Sequence, residues 1–181
     1  MIKSLDVTTL RELYWSAKRA VFRIELLQSY DWPDEADRIA EWRATGSVTP
    51  STDPQWQETA DQISDGCTNT LLHVIDLPLN DYLRYEFAAY QANNLATGQD
   101  VRIALRSSHP GLAEIPSEFA LFDDTLVWYR YNMETGVKLG WELDDDPATL
   151  AQCQHYRDLA VANSVPLLQF IDDTKDDPHQ T

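Results

Sequence analysis

The chain has 181 residues, and 14 Lys and Arg against 30 Asp and Glu give it a formal net charge of −16. A hydrophobic share of 43%, with six Trp, eight Tyr and five Phe, is typical of a globular protein and excludes a disordered chain. No apolar run reaches the roughly 18 residues that a membrane span needs, and the acidity disfavours direct binding to nucleic-acid phosphates.

The N-terminus lacks the apolar core and small-residue cleavage site of a signal peptide, so we expect a cytoplasmic protein. Cys67 and Cys153 have no metal-ligand spacing. We expect both to be small buried hydrophobes in a reducing compartment, with one long-range disulfide as the alternative. The acidity has three interpretations: solubility, attraction of a basic partner, or imitation of nucleic acid.

The first elements are a helix and a strand. Thr9 and Glu12 have capping-box spacing, which predicts a helix from about Val7 to Arg19. The next segment changes to period two, since apolar Phe22, Ile24 and Leu26 alternate with Arg23 and Glu25. This alternation predicts a strand with one buried face and the charged residues in solvent.

Two short helices follow. Pro33 and the acids around it indicate a helix start, and Gly46 indicates its end. A second helix around Trp56 is expected to stop at Gly66. The polar turn at 46–55 is too short to be a domain linker.

The most self-consistent stretch runs from Leu71 to Ser107 and reads as strand, helix, strand. Pro78 ends the first strand, Asn80 is placed to cap the helix, and Gly98 can take the left-handed conformation that stops it. As neighbours in one sheet, the two strands would be parallel.

The C-terminal half predicts an antiparallel meander. EFALFDD, TLVWYRYN and GVKLGWEL are three strands, with the first hairpin at Asp123-Asp124. Asp146 and Pro147 then open a helix. We therefore predict a mixed α/β fold with one sheet of about six strands, a central βαβ unit and helices packed on it. Residues 1–171 would form a single domain, followed by an acidic disordered tail at 172–181.

No P-loop, GxGxxG, HExxH, CxxC or GxSxG motif is present, so we assign no catalytic residue, no metal site and no cofactor. A cleft where the central helix begins could hold an anionic ligand. The candidate binding residues are Tyr82, Arg84, Tyr85, Glu86, Arg102, Arg106 and Asp123.

Each candidate also has a structural interpretation. The rings of Tyr82 and Tyr85 could pack in the core with only their hydroxyls in contact with water, while Arg84 and Glu86 stay solvated. Asp123 suits the corner of a hairpin as well as a cation. A lone histidine in an apolar strand, as His73 is, is more often a hydrogen-bonded core residue than a ligand, and His109 belongs to a His-Pro-Gly turn.

Several of these segments carry a resemblance. FRIELLQSY, PLNDYLRYEFAAY with GQDVRIA, HPGL, EFALFDD and DDPATLAQCQHYRDLA together resemble an actinobacterial family of uncharacterised proteins, domain of unknown function 6879, over about residues 19–171. Genes of that family often lie near helix-turn-helix regulators and small acidic proteins. The His-Pro-Gly turn, the hairpin and the Asp-Pro helix also resemble the ligand-sensing tail domain of some such regulators.

A weaker similarity is to one half of a phospholipase-D-like fold, whose catalytic pattern is His-x-Lys-x4-Asp. With its Asp aligned on Asp123, Pro116 stands in place of the His and Glu118 in place of the Lys. Without the histidine nucleophile that chemistry cannot run, so the similarity implies a degenerate, non-catalytic relative.

We therefore expect a non-enzymatic regulatory or protein-interaction module that acts with a helix-turn-helix transcription regulator or a small acidic protein. We expect no direct nucleic-acid binding, because the chain is strongly acidic, and no membrane attachment, because no apolar run is long enough to span one. The alternative is a sensor or enzyme for a small anionic ligand, acting in the cleft at the start of the central helix.

Overall fold

A computed structural model describes residues 1–174, apart from the side chain of Asp34. The fold is mixed α/β with one mixed sheet. Its strands are β1 (Ile2–Leu5), β2 (Ala20–Glu25), β3 (Thr68–Ile75), β4 (Asp100–Leu105), β5 (Glu118–Phe122), β6 (Thr125–Tyr131), β7 (Lys138–Asp144) and β8 (Val165–Pro166).

The strand order across the sheet is β1-β7-β6-β5-β2-β3-β4-β8. β2, β3 and β4 are parallel to one another, and the other neighbouring pairs are antiparallel. The sheet has eight strands, whereas the sequence predicts about six. The two additional strands are β1 and β8 at the edges, and both are too short to produce a readable alternation.

The helices are α1 (Val7–Ser16), α2 (Ala36–Thr45), α3 (Gln55–Ser64), α4 (Asp81–Ala89), α5 (Pro110–Ala113), α6 (Pro147–Ala162) and α7 (Leu167–Thr174). α4 continues through a π turn (Tyr90–Asn94) and a 3₁₀ turn (Leu95–Thr97) to Gly98, which is left-handed at φ 87°. Within residues 1–174, no helix combines the length and apolar character that a membrane crossing requires.

Side-chain caps open four of these helices, α1, α4, α5 and α6. Asn80 accepts from the amide of Leu83 at 2.8 Å, and Asp146 accepts from that of Thr149 at 2.8 Å, as the sequence predicts. For α1 the prediction is wrong, because Asp6 rather than Thr9 is the N-cap residue and accepts from the Thr9 amide. The helix also ends at Ser16, short of Arg19.

The C-terminus differs from the expected tail. Residues 172–174 complete α7, whose Leu167 and Phe170 are buried. The remainder of the expected acidic tail lies outside the described residues. Cys67 and Cys153 are both free and buried, and they belong to clusters on opposite faces of the sheet.

Both faces of the sheet are covered. On one face, Phe22, Ile24 and Leu72 pack with α5 and α6 in a continuous apolar cluster. On the other face two separate clusters form, one around α1 with Val21 and Tyr129 and one around α4 and α7. The central strands carry polar residues between these two clusters, and that gap is where the candidate site lies.

The hairpin corner of β5 and β6 anchors the start of β2. Asp123 has a left-handed φ of 52°, and its carboxylate accepts from the backbone amides of Lys18 (3.0 Å), Arg19 (2.9 Å) and Ala20 (2.9 Å). These amides, that of Lys18 first, hold the pKa of Asp123 below its usual range. Asp123 therefore has the structural role that its place at the hairpin corner predicts.

We expect Asp123→Ala to lower the free energy of unfolding by about 1–3 kcal/mol, because three backbone donors lose their acceptor. Asp124→Ala is the matched control, since Asp124 is exposed and pairs with Arg19 alone among the described side chains. Urea denaturation of the two variants measures the difference, and equal losses would contradict the anchoring role.

Candidate functional site

A cavity of about 380 Å³ lies between the polar middle of the sheet and helices α1, α3 and α4. This volume is in the range of small-molecule sites in proteins. Its walls are rich in aromatic side chains from both the strands and the helices, including Tyr14, Tyr30, Trp56, Tyr82, Tyr85 and Tyr129.

The floor of the cavity is charged. Arg23 and Glu25 extend from β2 and Glu86 from α4, and all three line the cavity. The Arg23 guanidinium lies over the ring of Tyr129, 4.2 Å from its centroid, and 3.0 Å from Glu25 Oε1. The prediction that Arg23 and Glu25 face solvent is wrong, because α1 and α4 cover this side of the strand; Glu25 is 7% exposed.

The mouth carries two arginines. Among the lining residues, Arg11 is exposed, and Arg38 is half-buried together with Glu35. The cavity therefore has more positive than negative charge where it meets solvent, and two carboxylates, Glu25 and Glu86, beside Arg23 at depth. This distribution suits a ligand whose anionic end stays near the surface.

Several buried polar atoms of the lining residues have no hydrogen-bond partner among the described residues. They are Arg23 Nε, Trp56 Nε1, Tyr85 Oη and Glu86 Oε2. Tyr85 is only 1% exposed. Buried polar groups are normally hydrogen-bonded, so four such atoms around one cavity indicate groups that are available to a bound molecule.

His73 lies beneath the cavity on β3 and has no exposed surface. Its Nε2 lies 2.7 Å from the carbonyl oxygen of Leu27, which can only accept, so Nε2 carries a proton. Its Nδ1 faces the hydroxyl of Tyr90 at 3.1 Å, Glu86 Oε2 at 3.3 Å and Glu25 Oε2 at 3.7 Å. His73 is thus a hydrogen-bonded core histidine that also meets two carboxylates.

The ligand atoms of Glu25, His73 and Glu86 all lie within 4.8 Å of one another, so this set could hold a metal ion. Glu118 is a further buried carboxylate close to this set, 3.6 Å from the Arg23 guanidinium. It accepts from the amide of Leu26 at 2.9 Å and from the hydroxyl of Tyr30 at 2.5 Å.

The seven candidate residues from the sequence separate into two groups. Tyr82, Tyr85 and Glu86 line the cavity; Tyr82 also donates to Glu35 at 2.7 Å. The other four do not line it within residues 1–174. Those four are Arg84, half-buried on α4, and Arg102, Arg106 and Asp123, which hold backbone segments in place.

Arg102 on β4 and Arg106 directly after it lie away from the cavity, because both side chains bond to other segments of the chain. Arg102 bonds to the hydroxyl (2.8 Å) and carbonyl (3.1 Å) of Ser164, next to the edge strand β8. Arg106 bonds to the carbonyl of Leu26 at 2.8 Å and pairs with Asp76 at 3.1 Å. Both stabilise strand ends rather than a cleft.

Sequence reasoning missed Arg23, Glu25 and Glu118 as site residues. The available signal was that helices are predicted on both sides of β2 along the chain, which favours a sheet covered on both faces. Charged residues on such a strand are buried, and buried charges need partners.

The family model for a domain of unknown function, DUF6879, matches residues 8–172. No curated protein matches the sequence. Among solved structures, Nuc of Salmonella typhimurium, a phospholipase D family member, is similar with a TM-score of 0.51 at 12% identity, over 92% of this chain and 97% of that one. TrmBL2, an archaeal chromatin protein with a novel mode of DNA binding, has a TM-score of 0.51 at 7% identity, over 92% of this chain.

The chain spans about half, 55%, of the length of that chromatin protein. At these identities the two likenesses show a shared fold alone.

The buried carboxylates and His73 make stability depend on pH. Burial by itself would lower the pKa of His73, but the charges of Glu86 and Glu25 outweigh this and raise it to about 9. Burial raises the pKa of Glu86 to about 7, although the charge of His73 opposes the rise. Both groups thus bind protons more tightly in the folded chain than in the unfolded chain.

We expect the free energy of unfolding to fall as the pH rises. The first decrease should occur between about pH 4.5 and pH 7, where Glu86 ionises. The free energy should then fall by on the order of 2 kcal/mol from about 6.5 to 9, as the stability due to protonated His73 is lost. Urea denaturation across pH 5–9.5, in buffer containing a chelator, measures this. His73→Gln should flatten the upper part of the curve, whereas parallel curves for the two proteins would contradict the assignment.

Proposed function

The chain belongs to the family of domain of unknown function 6879, and from the site described above we propose that it is a non-enzymatic regulatory module that binds a small anionic molecule in this cavity. It acts in the cytoplasm together with a helix-turn-helix transcription regulator. The observation that carries the proposal is the cavity of about 380 Å³ with four unpartnered buried polar atoms among its lining residues.

The distribution of charge supports the ligand class. Arg11 and Arg38 at the mouth suit a phosphate or carboxylate, and the aromatic walls suit a ring or a sugar face. Deeper in the cavity, Tyr85 Oη has no partner among the described residues, and Glu86 Oε2 meets only the His73 ring. A molecule with an anionic group at one end and polar groups at the other would satisfy both ends.

Two observations support a role beside a DNA-binding protein. A net charge of −16 disfavours contact with phosphates by this chain itself. A similar fold makes up about half of TrmBL2, which binds DNA. This chain would supply a sensing or docking unit, and a separate protein would contact the DNA.

Tyr85→Phe tests whether the unpartnered hydroxyl is kept for a ligand. Without ligand, the variant should be as stable as the wild type or slightly more stable, because no hydrogen bond is lost. Tyr14→Phe is the matched control. The Tyr14 hydroxyl accepts from Asn69 at 2.7 Å, so its removal should cost about 1 kcal/mol. An equal cost in both variants would show that the Tyr85 hydroxyl is structural.

A thermal-shift screen of the full chain with nucleotides and phosphosugars tests the ligand class. A compound that raises Tm should lose most of its effect in Tyr85→Phe and in Arg11→Gln. Arg43→Gln should keep the effect, because Arg43 pairs with Asp81 and does not line the cavity. A shift that survives Tyr85→Phe and Arg11→Gln would place binding elsewhere and contradict the proposal.

The partner is tested by co-expression with helix-turn-helix proteins encoded beside the gene. We expect a complex on size exclusion at micromolar concentration, weakened by salt because the chain is strongly acidic. A chain that elutes alone with every such candidate would contradict this part of the proposal.

A further inference from the structure

We propose that Glu25, His73 and Glu86 bind one divalent transition-metal ion at the base of the cavity. The three residues come from β2, β3 and α4, and their ligand atoms lie within 4.8 Å of one another. The role of this metal site depends on the proposed function, because the ion would lie where the small molecule binds. The metal is nevertheless measured without any small molecule, so the two proposals can fail separately.

The spacing of the donors suits a single ion. Glu86 Oε2 and Glu25 Oε2 lie 3.3 and 3.7 Å from His73 Nδ1. Two ligands that are each about 2.0–2.2 Å from one ion are separated by about 3–3.6 Å at ordinary coordination angles. Small rotations of the carboxylates would bring all three donors onto one ion.

The orientation of His73 is that of a metal ligand. Its Nε2–H donates to the carbonyl of Leu27 at 2.7 Å. Once a metal ion displaces the proton on Nδ1, that atom turns its lone pair toward the carboxylates. Metal-binding histidines commonly donate their other ring N–H to a carbonyl, since this fixes the tautomer and the ring plane. The ring has no exposed surface, so the arrangement is held by packing.

The buried charges call for a cation. Both ring nitrogens of His73 face acceptors, because the Tyr90 hydroxyl gives its own proton to Glu25. Arg23 and His73 therefore balance two of the three carboxylates of Glu25, Glu86 and Glu118, which leaves one negative charge uncompensated until a metal ion displaces the His73 Nδ1 proton. A divalent ion makes the group neutral, and buried carboxylates are stable only when they are paired or coordinate a metal.

Glu86 has few contacts with the rest of the protein. The residue is 9% exposed and lines the cavity, and its Oε2 meets the His73 ring at 3.3 Å without any other polar partner among the described residues. The second carboxylate, Glu25, accepts from the Tyr90 hydroxyl at Oε2 and meets Arg23 at Oε1. Glu86 therefore has coordination capacity beyond its contact with His73.

The donor set selects the class of metal. One imidazole and two carboxylates suit Zn²⁺, Mn²⁺, Fe²⁺ or Co²⁺, whereas Ca²⁺ and Mg²⁺ prefer oxygen alone. Three protein ligands leave at least one position open. Since Glu25 and Glu86 both line the cavity, that position would face the space proposed for the small molecule.

The test uses the full chain, stripped with chelator and then titrated with Co²⁺ and Zn²⁺. We expect one Co²⁺ per chain by elemental analysis, with visible d–d absorption that Zn²⁺ abolishes. Glu86→Gln should lower the affinity at least about 100-fold, since a direct ligand matters more than an outer-shell partner. The metal-free Glu86→Gln protein should fold normally, because the change removes a buried charge and keeps the shape.

His73→Gln should also lose the absorption. His155→Gln is the matched control and should keep it, because His155 is exposed on α6. The proposal is overturned if the folded wild type takes up no Co²⁺, or if uptake is unchanged in both His73→Gln and Glu86→Gln. Metal uptake without any small-molecule shift would leave this site standing and remove the proposed ligand.

Discussion

The fold depends on satisfying carboxylates that are buried against the middle of its sheet. Glu118 has no exposed surface, and it accepts from the amides of Leu26 (2.9 Å) and Leu27 (3.3 Å) and from the hydroxyl of Tyr30. Arg23 lies 3.6 Å from its other oxygen. An unpaired charge here would cost several kcal/mol, so these contacts must form together. They join the start of β5 to the end of β2 and to the loop after it.

The buried polar side chains of β2 and β3 also separate the apolar core on this face of the sheet into two clusters. Apolar residues at Arg23, Glu25 and His73 would let the cluster around α1 merge with the cluster around α4 and α7. Charged groups instead hold fixed positions through hydrogen bonds, and the space above them stays open. Proteins commonly depart from the simple apolar pattern at functional sites and give up some stability there.

Much of the fold could be predicted from short-range patterns. The cap at Asn80, the stop at Gly98 and the hairpin at Asp123-Asp124 each depend on residues close in sequence, and the structure has all of them. The candidate site was harder to predict. Tyr82, Tyr85 and Glu86 lie together on one helix, so a single segment indicated them. The other residues that line the cavity come from many segments, among them α1, β2 and α3.

The sequence by itself determined that residues 20–25 form a strand and that Arg23 and Glu25 share one side of it, because side chains alternate along any strand. Only the tertiary structure decided that this side is buried. α1 and α4 reach it from separate parts of the chain, and no local pattern encodes where they pack. Whether a charged face is solvated or becomes the floor of a cavity therefore depends on contacts between segments distant in sequence.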